Sequence, residues 1–564
     1  MKRCPECRKD YIDDSLLYCL DDGTPLVQGV VDEPRTAILH GAGEAGEAAT
    51  QAQIHATERT SVLPSTADSI PKSAGFDKRL LLAPLLLVAI VLGGFFGYRY
   101  FNSADSGRIN SIAVLPFANA SGDKETDFLA DGIAETLINN FTKIPELKVT
   151  ARSTAFRFRG REGEPVEVGR ELKVGSMLTG RLMQRGDQLS VQVDLISTSD
   201  GSQIWGNRYE GRSADLVNIQ QRIATDVSSQ LKLKLTGAQT EQVAKTYTQD
   251  PQAYQRYLRG RYLWNKRTDE DLRKALEEFQ AAADADPTYA LAFAGLGDTY
   301  VVLPEYAGMA VDETLPKARA FAEKALQIDP SLGEAHATLG LIHHYEWKWN
   351  EADREYERAI ELNPNYPTVH HWFSNNLRER GDYARALAEI RRAHELDPLS
   401  PIINVNVGIL LALNGDMAGA KAQLDRTIEL DRGWFNSYLW RGTIEVMDGN
   451  IQGSIPYLQR SAELNRALRP AGMLGYALGA SGKRDEAQSL VRELEDRYSK
   501  GISAASNIAS IYIGLGDKEK AYEWLEKGFK ERDVEIARVL WAPQFNSLRN
   551  EERFIQFRKK VRPE

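Results

Sequence analysis

Five glycines, Gly381, Gly415, Gly449, Gly482 and Gly516, recur every 33 or 34 residues, and a helix-period stretch surrounds each: GDYARALAEIRRAHELDP, GDMAGAKAQLDRTIELD, GNIQGSIPYLQRSAELN, GKRDEAQSLVREL and GDKEKAYEWLEKGF. Small residues keep step at Ala386, Ala420, Ser454, Ala487 and Ala521. A period of this length restricts the fold strongly. Each unit is one supersecondary element that cannot bury its apolar face alone, so copies must stack. Glycine permits the turn between two helices, and the small residue lets them pack closely. Earlier copies are marked by Pro287, Pro330, Pro364 and Pro398, the first two lengthened around NKRTDED and LPEYAGMAVDETLP.

The pattern resembles tetratricopeptide repeats. That resemblance implies an all-α solenoid over residues 250–530, about eight units, with WAPQFNSLRNEERFIQFRKK inside a C-terminal capping segment, 531–564. It also implies a concave groove that receives a protein or peptide. In the repeat register His344, His371, Asn375 and Arg378 face that groove, either as a partner site or as a solvated face. His336, His343 and His370 fall on positions used for helix packing, and Tyr345, Trp347, Trp349 and Tyr356 read as core aromatics.

Upstream, residues 110–236 alternate strand and helix signals. An apolar run, SIAVLPFAN, precedes the amphipathic DFLADGIAETLINNFTKI; LKVTAR follows, and SMLTGRLMQRGDQLSVQVDLISTSDGSQIWGNRYE reads as a three-stranded meander with turns at RGD and TSDG. IAVLPFAN, DFLADGIAETLINNF, LKVTARST, the G-D hairpin and IWGNRYE, in this order, resemble the TolB amino-terminal-like domain. The resemblance implies an α/β module with a noncatalytic sensing or interaction role, and it supplies no catalytic residues.

All three cysteines lie at the amino terminus: Cys4, Cys7 and Cys19 within MKRCPECRKDYIDDSLLYCLDDG. Cys4 and Cys7 have the spacing of a zinc knuckle, and Asp22 stands where a second C-x-x-C would place its last thiolate, so Cys4, Cys7, Cys19 and Asp22 are the expected ligands of a structural Zn²⁺. The segment 1–26 resembles small zinc-ribbon heads. A ribbon that folds on Tyr11, Leu16, Leu17 and Tyr18 without metal is the alternative reading. Residues 27–78 are rich in Ala, Gly, Thr, Ser and Glu and read as a flexible linker.

Between Arg79 and Arg99 the run LLLAPLLLVAIVLGGFFGY carries no charge and as a helix would reach roughly 28 Å. Residues 79–99 are therefore expected to form a transmembrane helix. Lys72, Lys78 and Arg79 before it, against Arg99 and Arg108 after it, place the amino terminus in the cytoplasm and the later domains on the far side of the membrane; the resemblance to the TolB amino-terminal-like domain implies that this is a bacterial inner membrane.

The fold class expected is thus multidomain: a zinc-ribbon-like head, one transmembrane helix, an α/β TolB-N-like domain and a tetratricopeptide solenoid. Phosphate-loop, kinase, G-x-S-x-G and H-E-x-x-H motifs are absent from the sequence, which argues against an enzyme. The net charge of −9 argues against a general nucleic-acid surface. The expected function is a noncatalytic single-pass membrane scaffold or sensor; the alternative is a membrane-tethered regulator whose head contacts nucleic acid or the transcription machinery.

Overall fold

The computed structural model describes residues 109–231, 235–307, 309–466, 468–502, 504–533 and 535–562, together with three strand segments near the amino terminus. The chain divides into two compact units, Met1–Ala89 and Ile90–Glu564. In the first, β1 (Lys2–Arg3) pairs antiparallel with β2 (Asp10–Tyr11) on one side and β3 (Val27–Gln28) on the other. The linker and the run Leu80–Tyr98 lie outside the described residues. The expected localisation, a single span in a bacterial inner membrane, is corrected: among the described residues no helix is long and apolar enough to cross a membrane.

The second unit begins with a mixed sheet in which Lys148–Val149, Ser111–Val114, Ser176–Arg185, Gln188–Ser197 and Gln203–Arg212 lie side by side in that order. Strand β4 (Ser111–Val114) is buried along its length, as its SIAV composition requires, and runs parallel to β6 (Lys148–Val149) and β7 (Ser176–Arg185). A short strand, β5 (Ala118–Asn119), pairs with β7. The meander continues antiparallel through β8 (Gln188–Ser197) and β9 (Gln203–Arg212). Its turns use Gly186 and Gly201 at positive φ, a region glycine enters without a Cβ penalty. Helix α1 (Asp127–Phe141) lays Ile133, Leu137 and Phe141 into the core. Short helices α2 (Arg152–Ala155) and α3 (Pro165–Leu172) follow β6, and α4 (Leu216–Gln230) packs Ile219, Ile223 and Val227 into the same core.

After α5 (Gly237–Ala244), helical hairpins stack. They are α6 (Pro251–Trp264) with α7 (Asp269–Ala285), α8 (Ala290–Ala307) with α9 (Val311–Ile328), α10 (Gly333–Tyr345) with α11 (Trp349–Leu362), and α12 (Pro367–Arg380) with α13 (Tyr383–Leu396). The second half continues with α14 (Pro401–Leu413) and α15 (Met417–Leu430), α16 (Phe435–Met447) and α17 (Ile451–Leu464), α18 (Leu468–Ala480) and α19 (Arg484–Ser499), and α20 (Ala505–Gly514) and α21 (Lys518–Lys530).

The repeated dipeptide explains the turns. Gly381, Gly415, Gly449, Gly482 and Gly516 all take φ between 79° and 91°, ending the first helix of a pair in the left-handed region. In four of them the next residue, Asp382, Asp416, Asn450 or Asp517, caps the second helix through its side chain. Ala386, Ala420, Ser454, Ala487 and Ala521 are fully buried where the paired helices approach.

The tail does more than cap. Two 3₁₀ turns, Ile536–Leu540 and Pro543–Leu548, fold back on the solenoid before α22 (Glu552–Val561). Trp541 is buried and stacks on Trp440 with ring centroids 5.7 Å apart. The last repeat also returns to the third, where Phe529 stacks on Trp347 at 5.3 Å.

Candidate functional site

The inner helices, the α/β domain and the returning tail enclose one chamber of about 390 Å³. His344 on α10, His371, Asn375 and Arg378 on α12, Asn406 on α14 and Trp440 on α16 form its solenoid wall. Glu135 and Arg152 of the α/β domain form another side, and Glu535 and Arg538 of the tail a third. The structure thus places all four residues expected to face the groove on the wall of one chamber.

They do not form a solvated stripe. Arg378 is only 4% exposed; it donates to Asn406 Oδ1 at 2.6 Å and to Glu379 Oε1 at 3.2 Å, and its guanidinium lies 4.7 Å from the Trp541 ring centre. The Trp541 indole N–H donates to Glu379 Oε2 at 2.6 Å. His371 Nε2 accepts from Asn406 at 3.1 Å and from Asn375 at 3.3 Å, so the ring is the neutral tautomer with its proton on Nδ1. Burial, reinforced by Arg378 and Arg267, pushes its pKa down to about 3. His344 is also lowered, by burial first, and sits 3.0 Å from Asn376 Oδ1.

Two buried carboxylates are each held by a pair of arginines. Glu135 meets Arg152 and Arg261, both at 2.8 Å, and accepts from Asn265 at 2.9 Å. Burial alone would raise its pKa, but Arg261 and Arg152 outweigh that and lower it. At the tail, Glu535 meets Arg469 and, at 2.7 Å, Arg538. Against the upward push of burial these arginines hold it at about 2.

Some polar groups have no such partner. Asn375 Oδ1, Asn436 Oδ1, Arg378 Nε and Arg538 Nε are buried and make no hydrogen bond among the described residues. Arg267, in the turn between α6 and α7, has φ of 58°, rare for a residue with a Cβ. Its half-buried guanidinium stacks over Trp264 at 3.5 Å and near Tyr306 at 5.4 Å. Among the described residues it carries no ion pair.

Sequence reasoning missed Arg267. The available signal was a lengthened turn, NKRTDED, that departs from the glycine turns of later repeats. Arg267, Glu305, Tyr306, Ile402, Asn436, Arg469 and Glu535 also line an adjoining vestibule of about 1170 Å³, with Met309, Trp434 and Ile502 further out. Tyr306 and Ile502 are exposed there.

Cys4, Cys7, Cys19 and Asp22 lie outside the described residues. Among the described residues no group of three or more His, Cys, Asp or Glu side chains could hold a metal ion.

The architecture is that of a tetratricopeptide solenoid joined to a mixed-sheet domain. Tetratricopeptide repeat models match residues 333–366, 373–437 and 502–532. Residues 108–226 match the model described as "HilA/YgeH-like transcriptional regulator, second domain"; the expected TolB amino-terminal-like assignment is not the one this match names. "Putative adenylate cyclase 3" of Rhizobium meliloti (strain 1021) is 31% identical over 249 residues, 43% of this chain and 42% of that protein. The chain therefore spans about two fifths of that relative's length. Among solved structures, Pseudomonas aeruginosa PilF is 22% identical, covering 38% of this chain and 93% of its own, with a TM-score of 0.31. YrrB, described as a TPR protein with an unusual peptide-binding site, is 21% identical, covering 33% and 92%, with a TM-score of 0.25. Tetratricopeptide repeats are protein-interaction modules, and the solenoid part of this chain is one.

Proposed function

We propose that this chain is a noncatalytic scaffold or sensor whose solenoid chamber receives an acidic segment of a protein partner. One observation carries the reading: Arg267, without a carboxylate partner among the described residues, shares a chamber with Asn375 Oδ1, Asn436 Oδ1 and Arg378 Nε, none of which is hydrogen-bonded among the described residues. Native folds satisfy buried polar atoms, and those left open are available to a ligand. A partner carboxylate offsets the desolvation of the Arg267 guanidinium through paired N–H donation. Asn375 and Asn436 accept partner N–H groups. Neutral His344 and His371 complete a polar wall without adding charge. Apolar residues flanking the acidic group lie against Tyr306, Met309 and Ile502 in the vestibule.

Affinity capture with the full chain, wild type against Arg267→Glu, tests this. The reversal loses the captured partner; equal capture by both chains overturns the reading.

A second reading has support from the match over 108–226 and from the relative's name: the chain is the regulatory part of a signalling or transcription-control system, and its head contacts nucleic acid or the transcription machinery. Lys2, Arg3, Arg8 and Lys9 are few for phosphate-driven binding. Retention of the full chain on DNA at low salt favours this reading, and absence of retention removes it. Zinc binding by Cys4, Cys7, Cys19 and Asp22 is part of either proposal; its support is the knuckle spacing and the pairing of β1 with β2 and β3.

A further inference from the structure

Strand β9, QIWGNRYEGR, is the outer strand of the mixed sheet, hydrogen-bonded to β8 alone. Its hydrogen bonds reveal which backbone groups face outward. The Arg208 N–H goes to the side chain of Asn207 at 2.9 Å and the Arg212 N–H to Asp215 Oδ2 at 2.8 Å, so neither points at β8. With a period of two, the peptide groups of Gly206 and Glu210 turn to the same free edge, up to the register shift that leaves Ile204 unpaired. A long strand with such an edge is a template for another strand, and proteins normally blunt it with lysine, proline or inward charges. Here the side chains turned to the core are Trp205 and Tyr209, neither charged, and Ile204 stands 40% exposed.

We propose that β9 pairs antiparallel with β9 of a second copy of this chain, joining two sheets about a two-fold axis at Tyr209. Charge chooses the partner and the register. Arg208 and Glu210 are exposed neighbours on the outer face, and neither has an ion pair among the described residues; Arg208 has only a 3.4 Å contact to Gln192 Oε1. With Tyr209 opposite Tyr209 of the copy, Arg208 lies directly across from Glu210 and Glu210 from Arg208, an arrangement that satisfies both charges at once. Sliding by two residues sets Arg208 against Arg208, or Glu210 against Glu210 with Arg208 against Arg212. Like charges directly opposite are destabilising. A slip of one residue turns the wrong peptide groups to the edge. A slide of four residues, which sets Glu210 against Arg212, needs the Arg212 N–H that Asp215 Oδ2 already holds, so the Tyr209 register is favoured, and there Asn207 must release the Arg208 N–H when the rungs form.

Sedimentation velocity of the full chain over a concentration series tests the proposal. Wild type shows concentration-dependent dimer. Arg208→Glu and Glu210→Arg each place like charges across both rungs and raise the dimer dissociation constant by about tenfold or more, while circular dichroism stays unchanged because both side chains are exposed. The combined Arg208→Glu/Glu210→Arg chain recovers the wild-type constant, since every pair is again opposite in sign. A monomer at all concentrations, or a dimer indifferent to the single reversals, overturns the assignment.

Discussion

His336 Nδ1 lies 2.7 Å from Glu355 Oε2, and one repeat later His370 Nδ1 lies 2.7 Å from Glu389 Oε2. The same helix-to-helix position in the next repeat is an amide pair, Gln423 donating to Asn404 Oδ1. A polar contact at a fixed place in successive hairpins ties the first helix of each pair to the second.

That equivalence makes an exchange test. Glu389→Ala leaves the buried His370 Nδ1 without its partner and lowers stability by about 1–3 kcal/mol in chemical denaturation. Importing the neighbouring repeat's solution, His370→Asn with Glu389→Gln, restores a hydrogen bond of the same geometry and recovers most of the loss. A double variant no better than Glu389→Ala would show that the contact is not interchangeable between repeats.

Asn375 and Arg378 share one face of α12 but differ in how they are bonded. Arg378→Ala strips a partner from Asn406 and from Glu379 and removes the guanidinium over Trp541, so it costs about 2–4 kcal/mol in thermal unfolding. Asn375 donates one long bond to His371 while its Oδ1 has no partner. Asn375→Ala therefore costs less than about 1 kcal/mol yet reduces partner capture by the chamber. Binding is read from Asn375 and Arg267, and Arg378 reports on the integrity of the wall.

Trp541 locks the tail to the solenoid. It is buried against Trp440 and donates to Glu379, so Trp541→Ala costs about 3–5 kcal/mol. The loss is local: amide exchange rises first in Ile536–Leu548 and α16, before the hairpins at the other end. Uniform deprotection of the whole solenoid would argue against a separate locking role for the tail.

What the sequence made legible follows from periodicity. The glycines at 33- or 34-residue intervals announce hairpins, the residue after most of them is a side-chain cap, and the short alternating runs before residue 236 announce a meander. Closure was not legible. Trp541 and Glu379 are 162 residues apart, and Asp397 reaches across the domain junction to accept from Thr154 at 2.7 Å; no local period encodes either contact. For the same reason the register could assign His371 and Arg378 to an inner face but not their burial, which depends on the tail and the α/β domain arriving over them. Arg267 was hidden because its turn breaks the repeat rather than following it.

Buried His371, on one side, and buried Asp533 and Asp298, on the other, give stability opposite pH dependences. His371 is held at about 3 by burial and by Arg378 and Arg267, below the ordinary value of about 6.5. Between those values the unfolded chain binds the proton and the native chain does not, so stability falls as pH drops from about 6.5 toward 3. Asp533 is raised to about 6 by burial, although it accepts the N–H groups of Glu535 and Ser506. The native chain keeps this proton while the unfolded one loses it, so its contribution falls as pH rises from about 4 to about 6. Denaturation midpoints from pH 4 to 7 separate the two. His371→Gln removes the loss on acidification and leaves a curve that declines with rising pH. Asp533→Asn keeps an oxygen for one of the two N–H groups and loses the other acceptor, and it makes the decline shallower, the remainder coming from Asp298, which burial also raises to about 6. An Asp533→Asn curve parallel to wild type would mean that the carboxyl titrates in the native state as it does in the unfolded chain.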